Sequence, residues 1–580
     1  MSRTAIAHAE VITGNGIAFW LLDVEIGGYT YRASNDDVSV VDANGTTWTY
    51  RAGLALDTVV VKSDGDTSVQ CALSADVQGT PDGWPAVLLG PPHGGKATLR
   101  RWLKGQLLDE ARVLVDGEIY DAEFDDPDAP LLLSIRWLAQ TPVAVPPPQA
   151  MISPLTWPAT ANYIPDETVN GACYPLVFGT PGYRDDVPWG DTIIAAYTTP
   201  AYLGQHNGAV RVHSGGRLIL GWVPDDTTYH ASTVTVWRPH DDTTSTNGRG
   251  WAAQVLTVST TVDLLGRTLA TCAPIVGTSA NNTIRFVPGR EYWVRWNGGG
   301  GVYNEARDGS MRRAGEIIAY LLRIAGLKVN AGRMAAARGR LDRYLLDFAM
   351  VASVTDVRSF IESEIGALIP LVRRTSADGM WYEALNYFPS PADAVLHLVI
   401  PAKNATAASY REDAVTTTAA GVLVARASTI AWTDDPITNT LAVRYAFARG
   451  QSHTQEVVVT GGTPSSTRGE IGSVACASSR ARFGPREGGT VDARLVHDRA
   501  TAEVIAVEMA ARAAIPRRLC SFAGDVADLE VLEPGDVVRV TDTERRITAQ
   551  LALVKSVEYG LTGIVVDVEI LDHLTAIGSV

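Results

Sequence analysis

Leu532-Glu533-Pro534-Gly535-Asp536-Val537-Val538-Arg539-Val540 decides how the last third of the chain is read. Pro534 fixes φ, Gly535 supplies the positive φ of a tight turn, and the β-branched run behind them starts a strand. Two more runs follow, Leu551 to Tyr559 and Ile564 to Ile570. In the second, Ile564, Val566, Val568 and Ile570 fall on one face and Asp567 and Glu569 on the other, the period of two expected of a sheet with one wet side. The chain is expected to close on an antiparallel sheet.

Upstream of that sheet the features come in a fixed order. Trp432 precedes a strand reading Ile437-Thr438-Asn439-Thr440-Leu441-Ala442-Val443-Arg444-Tyr445, and a second strand runs from Gln455 to Thr460. Ser478-Ser479-Arg480-Ala481-Arg482-Phe483-Gly484 comes next, then a helix from about Asp498 to Ala514 ended by Pro516. This order of Trp, Asn-x-x-x-Val-x-Tyr strand, Ser with aromatic-Gly, helix and Pro-Gly-Asp-Val strand resembles the C-terminal half of the baseplate or tail-tip hub proteins of long-tailed bacteriophages and gene-transfer particles. With the helical unit described below, the resemblance spans roughly Val302 to Asp572.

The resemblance implies a homotrimer in which each chain contributes two similar β-barrels, so that three chains present six equivalent edges to a six-fold tail tube and three-fold symmetry to the tip. The expected barrels are the C-terminal sheet, the Ile437 to Tyr445 strand and the earlier β blocks. It also implies as partners the tail tube or a distal tail protein, a tape-measure protein and tip or fibre proteins, with transient passage of DNA through the channel. The implied location is the tail tip of the virion, after assembly in the host cytoplasm. Some members of the family carry a four-cysteine iron-sulfur cluster; the clustered spacing is absent here, and no cofactor is expected.

The bulk composition fits this reading. A chain of 580 residues has room for roughly three or four domains. With 46% hydrophobic and 19% charged residues, 53 Gly and 30 Pro, it is a turn-rich folded protein, expected to be α+β and mostly β. A net charge of −15 argues against sequence-independent nucleic-acid binding, and suits a wall past which DNA slides. The five cysteines, Cys71, Cys173, Cys272, Cys476 and Cys520, are scattered with no C-x-x-C pair and read as small buried hydrophobes. Met1 to Glu10 has neither a basic region nor an apolar core, and no segment approaches the ~20 apolar residues that span a bilayer.

From the start, strands are expected at Phe19 to Ile26, Tyr29 to Ala33, Trp48 to Ala52 after the Asn44-Gly45 turn, Val59 to Val61, Ser68 to Leu73 and Leu131 to Trp137. Arg112 to Tyr120 reads as a hairpin turning at Asp116-Gly117. Residues 1–140 thus form a first, tube-like β-domain. Pro142, Pro146, Pro147, Pro148, Pro154 and Pro158 make 141–170 a linker or a strap along a neighbour. A second β-domain, 171–300, ends at four consecutive glycines, Gly298 to Gly301. Residues 301–400 read as an α+β unit. Its first helix carries Ile317, Ile318, Leu321 and Leu322 with Ser310 as N-cap and Gly326 beyond its end. A linking segment with Tyr344 and Leu345 leads to a second helix, capped at Thr355-Asp356 and ended at Gly366, and then to a hairpin turning at Asp378-Gly379. Residues 401–580 form the closing β-domain with one helix.

No catalytic, cofactor-binding or metal-ligating residue is assigned. Gly90-Pro91-Pro92-His93-Gly94-Gly95-Lys96-Ala97 comes close to a phosphate-binding loop, but Pro91 and Pro92 remove amide donors and Ala97 stands where a hydroxyl would hold magnesium, so it reads as a surface turn. None of the ten histidines has a second one three to five residues away; His240-Asp241-Asp242 and His497-Asp498 read as a loop and a helix start. The acidic runs Asp121, Glu123, Asp125, Asp126 and Asp434-Asp435 read as solvated loops. The basic pairs Arg312-Arg313, Arg373-Arg374, Arg517-Arg518 and Arg545-Arg546 suit salt bridges between subunits, or solvation. The chain is therefore expected not to be an enzyme. The alternatives are a carbohydrate- or receptor-binding tail module presenting some of the 14 Trp, and a tail-associated cell-wall hydrolase.

Overall fold

The structure is a computed structural model describing residues 18–26, 28–62, 68–74, 94–123, 129–137, 143, 145, 174, 176–180, 203–206, 209–212, 218–223, 233–237, 253–262, 266–272, 293–297, 301–350, 354–376, 379–400, 421–433, 435–448, 452–465 and 469–574. It is α+β and mostly β. Nearly all of the Pro-rich stretch 141–170 lies outside the described residues, as do Cys173 and the sequence around His240.

The first sheet comprises β1 (Ala18–Ile26), β2 (Tyr29–Ser34), β3 (Val38–Val41), β4 (Thr47–Ala52), β5 (Leu54–Ala55), β7 (Ser68–Leu73), β8 (Lys96–Leu103), β9 (Arg112–Glu123) and β10 (Leu131–Trp137), in the order β3-β4-β2-β1-β8-β9-β10-β7-β5. Its two ends meet. β4 runs parallel to β2 and, one residue later, β5 runs antiparallel to β7, with Gly53 bonding across to both Ser34 and Ser74. The sheet is thereby closed into a barrel, which removes its edges. β6 (Thr58–Lys62) leaves this barrel altogether.

Asp116-Gly117 is not a turn. Val115, Gly117 and Ile119 point inward and Asp116 and Glu118 outward along one unbroken strand, β9, flanked by β8 and β10. The period-two alternation runs straight through the turn dipeptide, and burial between two neighbours outweighs the local preference.

The middle of the chain holds β11 (Leu176–Phe178), the pair β12 (Leu203–His206) and β13 (Ala209–Val212), and a five-stranded sheet of β14 (Leu218–Trp222), β15 (Thr233–Trp237), β16 (Ala253–Val262), β17 (Thr268–Cys272) and β18 (Trp293–Asn297). Gly301, the last of the four glycines, is a tight contact: its φ is 79°, and a Cβ there would lie 1.9 Å from the Val177 carbonyl oxygen.

Three helices follow: α1 (Ala314–Ile324), α2 (Ala331–Leu341) and α3 (Val357–Phe360), which continues as a π-turn to Ile365. Asp356 caps α3 as expected, accepting from the Arg358 amide, and Gly326 stands just beyond α1. Ser310 does not cap α1; Arg313 holds that position, and Ser310 is bridged to Tyr303. The segment expected to link two helices contains α2, capped by Asn330 and burying only Met334 and Leu341. β19 (Phe348–Met350) pairs with β11, and β20 (Leu371–Ser376) with β21 (Gly379–Ala384) makes the expected hairpin.

The last third separates into two sheets. β22 (Ala394–Ile400), β23 (Gly421–Leu423), β24 (Ala425–Arg426) and β25 (Ala431–Trp432) belong with β30 (Arg518–Gly524), β31 (Val537–Asp542), β32 (Ile547–Gly560) and β33 (Ile564–Ile570). The intervening β26 (Thr440–Ala448), β27 (Ser452–Thr460), β28 (Glu470–Gly472) and β29 (Glu487–Asp492) form their own sheet with α4 (Val474–Phe483) and α5 (Arg499–Ala513). The strand around Ile437 to Tyr445 is thus not a barrel strand. Its inward side, Leu441, Val443 and Tyr445, packs on α5 and on the core of the α1–α3 unit, which draws it away from the closing sheet.

The closing sheet repeats the plan of the first. Its order, β23-β22-β31-β32-β33-β30-β24, is joined end to end because β23 and β24 flank the single residue Val424, one parallel to β22 and the other antiparallel to β30. In each barrel four consecutive strands fold in the same spatial order, β7-β10-β9-β8 and β30-β33-β32-β31. The register repeats too. Gly535 donates to the Val554 carbonyl at 2.7 Å and Val554 to the Asp536 carbonyl at 2.8 Å; Gly94 donates to Ile119 at 2.8 Å and Ile119 to Gly95 at 2.9 Å. Both Gly94 and Gly535 have positive φ, 80° and 89°. The loop-like motif ending in Gly94-Gly95-Lys96 is therefore the first barrel's copy of the Pro534-Gly535-Asp536 strand start.

Candidate functional site

The most built feature of the molecule is the seam where the two barrels meet. β6 adds antiparallel to the edge of β32, Thr58 opposite Gly560 through Lys62 opposite Ser556. Val59 is buried there, and the interiors of both barrels form one apolar cluster that includes Trp20, Leu99, Leu133, Val59, Val557, Tyr559 and Val566. An edge that would otherwise offer bare amides and carbonyls is filled by the other barrel.

A charged knot lies beside this strand pair. Along β8 the inward positions are Ala97, Leu99 and Arg101, so a guanidinium occupies a core-facing site and is 1% exposed. It ion-pairs with the buried Glu530 at the end of α6 (Val526–Leu529) and donates to the Gly560 carbonyl at 2.7 Å. Burial pushes the Arg101 pKa down to about 10, still charged near neutrality. Arg112 of β9 donates to the carbonyls of Glu530 and Leu532, reaches Glu533 at 3.2 Å and sits 4.8 Å over the Tyr559 ring. The Tyr559 hydroxyl donates to the Leu532 carbonyl at 2.8 Å.

The Leu532 to Asp536 turn also holds the α+β unit. Arg374 of β20, 8% exposed, pairs with Glu533 at 2.7 Å, Glu383 at 3.0 Å and Asp536 at 3.7 Å. Val372, Leu385 and Tyr387 pack on Val537, Leu553 and Leu571 beside it. Glu533 thus binds one arginine from the first barrel and one from the hairpin. The turn was legible in the sequence as a strand start; its role as a three-way joint was not. The one local signal was Arg101, a charge on the apolar face of an alternating strand.

The other sequence candidates resolve individually. Asp498 caps α5 through the Thr501 amide at 2.8 Å, matching the expected helix start. At least one arginine of each basic pair is engaged within the chain: Arg312 is bidentate to the buried Asp347 at 2.7 Å, Arg373 meets Glu362 at 3.3 Å, Arg517 pairs with Asp435, Arg518 reaches Asp572 at 2.8 Å and Arg545 lies 3.5 Å from Asp542. Cys71, Cys272, Cys476 and Cys520 are buried free thiols. Among the described residues no group of His, Cys, Asp and Glu is placed to hold a metal, and no helix is long and apolar enough to cross a membrane.

Two histidines were not singled out in the sequence. His573, 3% exposed, has Nε2 2.6 Å from the Tyr387 carbonyl and must donate there; His397 has Nε2 2.8 Å from the Thr541 hydroxyl. Burial lowers both pKa values, more than the other contacts alter them. The folded protein holds both neutral, while the unfolded chain takes up protons near pH ~6.5. Their contribution is therefore full above that pH and declines as pH falls through it. The denaturation midpoint is expected to drop between pH 7.5 and 5.5, with a smaller drop in His573→Gln. A midpoint flat over that interval contradicts the neutral assignment.

No protein-family model matches the chain, and no curated protein matches it. Among solved structures it is similar to a tail protein from Neisseria meningitidis, at 10% identity and a TM-score of 0.35 over 95% of this chain and 96% of that one. It is also similar to the 43 kDa tail protein of prophage MuSo2 from Shewanella oneidensis, at 8% identity and TM-score 0.37 over 95% and 99%. A third similarity is to a chain in the virion of a native gene transfer agent particle, at 10% identity and TM-score 0.37 over 72% and 87%.

Proposed function

We propose that the chain is a structural virion protein, the hub at the distal end of a phage tail. Three copies close a ring of six barrels that continues a six-fold tail tube and hands over to three-fold tip components. The observation that carries this reading is the repeated barrel: two closed sheets of one plan, side by side in one chain and joined by strand addition. A six-fold tube needs six like edges, and a three-fold tip needs three like chains; a duplicated barrel satisfies both with a single sequence.

In this reading the assembled ring surrounds the channel for DNA, and the net charge of −15 limits adhesion of the passing phosphates. The tube or a distal tail protein, the tape-measure protein and tip or fibre proteins are the partners. The joint around Glu533 holds the α+β unit rigidly against the ring. No catalytic step is assigned to the chain. The test is the mass of the purified full chain over a concentration series, with and without tail tubes. A species of three chain masses, free or on tube ends, is expected; a single chain under every condition, or a stable two- or four-chain species, overturns the reading.

A further inference from the structure

On the edge of β32 facing β31, two partners lie in succession: β31 along residues 547–553 and then β6 along 556–560. β9 is the matching strand of the first barrel. β8 covers its residues 112–118 on the corresponding edge, and the Gly94-Gly95 turn covers Ile119. Beyond that point Asp121, Ala122 and Glu123 pair with β10 on their other side, and among the described residues no strand lies on this edge. Each strand is bulged at the same place, at Tyr120 between Ile119 and Asp121, and at Lys555 between Val554 and Ser556. Asp121, Ala122 and Glu123 therefore correspond to Ser556, Val557 and Glu558, the residues on which β6 docks.

The strand that docks comes from a definite place. In the first barrel the chain passes the closing strand β5, crosses Leu56-Asp57 and becomes β6. In the second it passes the closing strand β24, crosses Ala427 to Ile430 and becomes β25. Val59 of β6 is buried in the shared core, and Ile430 packs on that same core. Counting from these two, Trp432 stands where Val61 stands, and Val61 lies opposite Val557. Among the described residues β25 is bonded along one edge, to β30, with Ala431 opposite Leu519 and Trp432 opposite Arg518. Trp432 is 58% exposed, on the side of the strand that faces the core at Ile430.

Resting on the hub reading, we propose that the Asp121–Glu123 edge of one copy receives Ala431–Thr433 of a second copy as an added antiparallel strand, with Trp432 opposite Ala122. The contact between copies then repeats the seam within each copy, and a head-to-tail contact of this kind closes into a ring. It covers the exposed Trp432 ring and fills a sheet edge on which no strand lies among the described residues. Asp121 and Glu123, outward on this edge, keep it from recruiting arbitrary strands.

The test uses full-length chains in a Cys173→Ser background, one carrying Ala122→Cys and the other Trp432→Cys, mixed and oxidised. Residues directly opposite in an antiparallel pair bring their Cβ atoms to within ~4.5–5.5 Å, close enough for a disulfide with slight adjustment. A covalent dimer is expected in the mixture and in neither variant alone, and the double variant is expected to give a covalent series ending at three chains. Trp432→Ala is expected to weaken association about tenfold while leaving the chain's own melting midpoint in place. A three-chain species that forms without crosslinking overturns this contact and leaves the hub reading standing. Crosslinking that runs past three chains upholds the contact and overturns the three-fold reading; a chain that neither associates nor crosslinks overturns both.

Discussion

Arg101→Met is expected to destabilise the seam by about 3–5 kcal/mol, the usual cost of removing one partner of a buried ion pair. The substitution keeps most of the side-chain volume but leaves Glu530, 4% exposed, without the guanidinium that neutralises it, and frees the Gly560 carbonyl. Arg112 does not take over, since its nearest approach to the Glu530 carboxylate is 4.0 Å, through Nη1, and its Nη2 is engaged with Leu532 and Glu533. The loss should be local first. Amide exchange of β6 and of residues 556–560 should speed up before that of α1 or β26. Arg101→Met with Glu530→Met removes both charges and is expected to recover more than half of the lost stability. Equal loss in the single and double variants refutes a paired-charge role for Arg101 and leaves only its packing.

Asn439→Ala is expected to cost about 3 kcal/mol in the four-stranded sheet unit, since two backbone groups lose their only described side-chain partner at once. Asn439 is fully buried at the head of β26. Its amide nitrogen donates to the Gly484 carbonyl at 2.9 Å and to the Ser479 hydroxyl at 3.3 Å, and its oxygen accepts from the Arg486 amide at 2.9 Å. One side chain thereby ties the start of a strand to the end of α4. Ser479→Ala, which breaks only the longest of these bonds, is expected to cost less than about 1 kcal/mol. The pair of midpoints, read by denaturant unfolding, checks this: similar losses in the two variants would show that the knot does not carry the stability.

That knot explains why one part of the sequence could be read as a signature. Asn439 lies 40 residues before Ser479 and 45 before Gly484, yet its one side chain bonds both, so their order records a tertiary contact. The caps at Asp356 and Asp498 were legible for a simpler reason, since a side chain that bonds an amide two or three residues away leaves its pattern locally. Helix α2 was missed because it buries only two side chains, and a stripe that narrow gives no period to count. Asp116-Gly117 misled because a turn dipeptide and an alternating strand were both written there.

By itself the sequence determined many of the strands, the ends of α3 and α5 and the Pro534-Gly535 turn, because alternation, capping and fixed φ act within a few residues. It did not show α2, α4 or the short α6, so that the described residues of 401–580 hold three α-helices where one was expected. Only the tertiary structure decided that two stretches some four hundred residues apart form barrels of one plan, that β6 crosses from one to the other, and that Arg101 lies buried against Glu530. Sheet closure and strand addition are made by backbone hydrogen bonds, which any residue but proline can form, so partner choice leaves almost no mark on side-chain identity.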